Sequence, residues 1–198
     1  MSIDLHHLVS GLLFALVFLV TFALLRNDHQ FGTRRIARLG VLLALALVAG
    51  LVESLIPGFI LPGFRLGLAN IVLLFVLVTF GFYDGLVLAV LKAVLVSVLR
   101  GSFLSMGGLM ALSGTLLSFL GMAYLHYLWK KCSLIGISIF GALLHVIGQI
   151  VVAYFFMGPA IWGYLPWLML ASFATGAFVG VIVTILIRRT SFLHLLGK

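Results

Sequence analysis

Long apolar runs separated by short polar or Pro-Gly links set the rhythm of this chain. The runs cover residues 8–25, 36–56, 66–82, 86–99, 109–128, 134–157 and 168–187. None alternates with period two, and most approach the roughly 20 residues that a helix needs to cross a bilayer core. The pattern predicts an all-α protein of seven spans. Pro57 and Gly58 stop the second run as a helix end should. Tyr83-Asp84-Gly85 reads as a turn between two runs that are short for a bilayer, and 102–108 reads as a Ser/Gly/Met loop. The link after residue 157 holds Pro159, Trp162, Tyr164, Pro166 and Trp167, a density of aromatics suited to an interface belt or to the rim of a pocket.

Composition turns this pattern into a solvent assignment. Hydrophobic residues make up 64 % of the 198, charged residues 8 %, and mean hydropathy is +1.36. A chain of this kind is an integral membrane protein, here a single membrane domain. Its net charge of +8 lies at the ends of apolar runs rather than on a basic face, so it reads as a topology signal and not as a nucleic-acid surface. If the link carrying Arg26, Arg34, Arg35 and Arg38 is inside, alternation puts Lys130, Lys131, Arg188, Arg189 and Lys198 inside as well. Only Arg65 and Arg100 are then outside, which predicts a multi-pass protein of a bacterial-type inner or plasma membrane with its N-terminus out. Asp4, His6 and His7 precede the first run with neither a cationic start nor a clear cleavage site, so that run is expected to be an uncleaved helix. Cys132 is alone, and no internal disulfide is possible.

Several chemistries are excluded. There is no Gly-rich phosphate loop ending in Lys-Ser/Thr, and the three Asp and one Glu are never adjacent, so no paired carboxylates hold magnesium for diphosphate chemistry. Neither a nucleophile elbow nor a His-Glu-x-x-His helix is present. The expectation is a protein that is not an enzyme and uses neither cofactor nor metal.

The candidate binding residues are those whose presence at membrane depth is costly. Glu53, Arg65, Asn70 and Arg100 fall at the outer ends of their spans around two Pro-Gly pairs. The two arginines suit a carboxylate or phosphate ligand; alternatively Glu53 bridges Arg65 and Arg100 reaches lipid phosphate. Lys92, midway along its run, needs a carboxylate, a carbonyl or water, and Glu53 is the embedded carboxylate available. Gly141, His145, Gln149 and Ala153 recur at spacing four on one helical face, as a cavity wall or as hydrogen-bonded packing. Gly40, Ala44, Ala46 and Gly50 give the second run small faces for close helix approach.

The runs Glu53-Ser-Leu-Ile-Pro, Gly63-Phe-Arg-Leu-Gly-Leu-Ala-Asn-Ile71, Gly101-Ser-Phe-Leu-Ser105, Ser133-Leu-Ile-Gly-Ile-Ser138 and Gly141-Ala-x-x-His145-x-x-Gly-Gln149 resemble the Gx transporter family. Its members are often labelled heptaprenyl diphosphate synthase component I. The resemblance covers about residues 36–189, with 1–30 as an additional N-terminal transmembrane helix and 190–198 as a short cytoplasmic tail. The family is similar to the substrate-binding S components of energy-coupling factor (ECF) transporters, which are six-helix membrane proteins. That likeness implies a small-molecule substrate taken from outside, a transmembrane coupling protein and ATPase subunits as partners, and Gly40, Ala44, Ala46 and Gly50 as the docking face. The residues singled out above by their depth, Glu53, Arg65, Asn70, Lys92, Arg100, His145 and Gln149, are the candidate contacts; the two arginines and the Trp- and Phe-rich surroundings suit an anionic or amphipathic molecule, and the family label points to a quinone or isoprenoid precursor. Two other readings stay open: an accessory subunit of a prenyl diphosphate synthase, and a solitary secondary transporter.

Overall fold

The computed structural model describes residues 32–55, 67–103 and 105–196. They form helices α1 (Thr33–Leu55), α2 (Leu68–Phe80), α3 (Phe82–Leu99), α4 (Met106–Leu128), α5 (Leu134–Met157) and α6 (Leu165–Leu196), with a 3-10 turn at Pro159–Tyr164. No strand occurs among the described residues. The expected first span, the Pro-Gly loop and Arg65 lie outside them.

Five of the helices are long and apolar enough to cross a membrane. The exception is α2, whose 13 residues rise only about 20 Å. It survives as a short element because the bundle covers it: Ala69, Val72, Leu73, Leu74, Val76 and Leu77 are all buried. These side chains meet Leu88 of α3, Phe119 and Met122 of α4 and Val183 of α6 in the main core.

Lipid tails are as apolar as Leu, so packing between membrane helices rests on close fit rather than on escape from water. Glycines supply that fit along α4, α5 and α6. A Cβ on Gly148 would stand 2.9 Å from the Ser113 carbonyl oxygen and 3.0 Å from Gly114 Cα; on Gly114, 2.9 Å from the His145 carbonyl oxygen. On the other side of α5, a Cβ on Gly176 would meet Ile139 Cα at 2.8 Å and one on Gly180 would meet Ile135 Cα at 2.6 Å. Ser113 reinforces the seam by donating to the Gly148 carbonyl at 2.9 Å.

Several element boundaries differ from expectation, among them the start of α4 at Met106 and of α6 at Leu165, and two change the reading. The turn lies at Gly81, whose φ of 97° suits glycine, and α3 begins at Phe82. Asp84 is therefore a buried first-turn helical residue rather than a turn residue. It forms a salt bridge with Arg35, 2.6 Å from Nη2, and accepts a second bond from Nε at 2.9 Å. The acid lies near the positive end of the α3 dipole as well as beside a guanidinium. The other difference is that α6 continues to Leu196, through most of the stretch expected as a tail.

The Arg35–Asp84 bridge joins the starts of α1 and α3, and Arg38 lies over the Phe80 ring at 5.4 Å, joining the end of α2 to the same side. Lys130 and Lys131 follow α4 at that end, because the Gly81 Cβ position is 3.7 Å from the Tyr127 hydroxyl. Arg34, Arg35, Arg38, Lys130 and Lys131 thus lie at one end of the described bundle.

Candidate functional site

At the opposite end, α1 finishes just after Glu53 and α2 starts after Gly67. Gly67 has φ 78°, a left-handed conformation that a Cβ would strain. As N-cap residue it brings no side chain to satisfy the exposed amides of the first turn. Glu53 reaches across from α1 instead, and its Oε1 accepts the Gly67 N–H. A carboxylate at a helix N-terminus is well placed electrostatically.

One turn further along α2, Asn70 Oδ1 accepts a 3.0 Å hydrogen bond from Lys92 Nζ. Lys92 lies two turns from Gly85 on the same face of α3, the face that presses Gly85 against the Phe119 ring. The ammonium stem is consequently inside the bundle, with Lys92 only 8 % exposed. Glu53, Asn70 and Lys92, three of the candidates, are thereby linked through the start of α2. In the described contacts the Glu53 carboxylate holds Gly67, and Asn70 receives the Lys92 ammonium.

Arg100 ends α3 two turns above Lys92, exposed and at the same end as this cluster. His145 and Gln149 form a separate polar group. Both are buried on α5 against Gly114 of α4, whose Cβ position is 3.1 Å from His145 Cε1 and 3.0 Å from Gln149 Cγ. Ser118 joins them one turn away, facing Gly141; its hydroxyl is fully buried and has no hydrogen-bond partner among the described residues.

With this geometry in place, the comparison with known proteins has a clear result: residues 42–186 match the family described as heptaprenyl diphosphate synthase component I. The chain belongs to that family. No curated protein and no solved structure matches it. The family match runs from the middle of α1 through most of α6, so it takes in both polar groups and the Arg100 end of α3.

The four small residues of α1 separate into two pairs. Ala46 is fully buried, and a Cβ on Gly50 would stand 3.3 Å from Val96 Cγ2 of α3, so that pair serves the bundle itself. Gly40 and Ala44 are exposed. Sequence reasoning missed Gly67, Ser113, Ser118 and the Arg35–Asp84 bridge. The bridge had one usable signal: an Asp beside a glycine in a chain with four acidic residues.

Proposed function

We propose that this membrane protein is the substrate-binding component of an ECF-type transporter. It takes a small anionic or amphipathic molecule, such as a quinone or isoprenoid precursor, from the side opposite the basic end. The observation that carries the reading is Lys92. An ammonium at that depth is expensive, and such groups in membrane helices mark ligand or ion pathways. Asn70 orients it, and Glu53 fixes the helix start that carries Asn70. Arg100, and Arg65 from outside the described residues, would draw an anion to the mouth of the site. His145, Gln149 and the Ser118 hydroxyl would line its polar wall. Energy would come from a coupling protein and ATPases docked on Gly40 and Ala44, since the sequence contains no phosphate loop of its own.

The test is native mass spectrometry of the gently extracted chain, wild type beside Lys92→Met. A small anion retained by the wild type and lost by a well-folded Lys92→Met supports the proposal. Equal retention by both would remove Lys92 and, with it, the main argument.

The family description favours a second reading, an accessory subunit of a prenyl diphosphate synthase. That reading expects co-purification with a soluble, Asp-rich catalytic chain rather than with ATPases.

A further inference from the structure

Helix α1 is the least covered of the five membrane-length helices. Along α1, Ile36, Val41, Leu45, Val48 and Val52 are all exposed, and only 6 % of the helix's apolar window is buried. Between α1 and α3 lies a groove of about 440 Å³, lined by Ile36, Leu39, Gly40 and Leu43 on one side and Val87, Leu88 and Leu91 on the other. One of these residues is Gly40, where an added Cβ would meet nothing within 4 Å. The lining side chains are all apolar, and the bare backbone of Gly40 would let another helix approach closely.

We propose that the chain's own apolar run 8–25 occupies this groove. The reach fits. Residues 26–32 separate the run from α1, and seven extended residues span at most about 25 Å. A helix of membrane length on that tether must come back alongside α1 from its basic end. The groove residues 36–43 lie within the first three turns of α1, roughly 5–15 Å from Thr33, well inside that reach. The surface chemistry fits as well. The run carries no charged residue, and its Gly11 and Ala15, four apart, repeat the spacing of Gly40 and Ala44. Two small-x-x-x-small faces pack closely in lipid, where fit decides association. On an antiparallel course, Ala15 comes level with the Gly40–Ala44 stretch.

The consequence rests on the transport reading. Gly40 and Ala44 are also the proposed docking face for the coupling protein, so the run and that partner would be alternative occupants. The first helix would then regulate assembly of the transporter.

Disulfide cross-linking in membranes tests occupancy without reference to transport. The full chain carries Cys132→Ser and Gly40→Cys, a change for which the structure has room, together with one cysteine at each of residues 12–19 in turn. Gly50→Cys with Val96→Cys serves as a positive control, because those positions already touch. The expected result is an intramolecular link, identified by peptide mass spectrometry, strongest at two positions three or four residues apart. Links appearing only at dimer mass would assign the groove to a second copy. No link from the run while the control pair closes would leave the groove to lipid or to a partner. Either outcome overturns the proposal, and ligand retention by the same variants would report separately on the transport reading.

Discussion

The seam of α4, α5 and α6 and the outer edge formed by α1 use the same residue types to opposite ends. In the seam, Gly114, Gly148, Gly176 and Gly180 are gaps into which a neighbouring backbone fits. On α1, Gly40 faces no atom within 4 Å. Burial follows suit: 67 % of the α4 apolar window is enclosed and 6 % of that of α1. The difference teaches that a small residue in a membrane helix is a permission for close approach, used in one place within the chain and left open in another. The polar groups follow the same division. His145, Gln149 and Ser118 sit in the close-packed seam, whereas Lys92, Asn70 and Glu53 join α1, α2 and α3.

The largest expected effect is in the seam. Gly148→Leu would drive a side chain into the Ser113 carbonyl and Gly114, costing ~3 kcal/mol or more. Its thermal midpoint in detergent should collapse, and a wild-type midpoint would mean the helices are not in contact there. Next comes the bridge that ties α1 to α3 at the basic end. Asp84→Ala removes the acidic partner of Arg35 and should cost about 3 kcal/mol, with Arg35→Met/Asp84→Leu recovering most of it. An unstable double variant would show that the charges themselves, rather than the packing they allow, hold the edge. Lys92→Met should leave the midpoint unchanged or higher while abolishing ligand retention, separating the cost of a buried ammonium from its use. The smallest effect is expected at the open edge. Gly40→Ala should shift stability by no more than about 0.5 kcal/mol. A fall as large as that of Gly148→Leu would erase the contrast between the two regions.

Part of this was open to reading before any coordinates. Helix α5 spans Leu134–Met157, the same residues as its apolar run, because Ser133 caps its start with a bond from the Gly136 N–H and Gly158 ends it at φ 74°. The start of α3 is not legible because Tyr83-Asp84-Gly85 has turn composition, and local composition does not reveal that a half-buried arginine awaits the acid. The binding candidates could be singled out by cost, since each is a polar group within or beside an apolar run of the sequence. Their pairing was not: Lys92 contacts Asn70 22 residues away, Glu53 contacts Gly67 14 residues away, and Arg35 contacts Asp84 49 residues away.

By itself, then, the sequence determined the solvent and the secondary structure. Runs of about 20 apolar residues must satisfy their backbone internally, which in lipid makes them helices, and the cations at their ends orient the bundle. The tertiary structure alone decided which glycines are seams and which are open ground, and which polar residues meet. Those outcomes depend on the rotation and depth of each helix against its neighbours, quantities set jointly by several helices and encoded by no single stretch of chain.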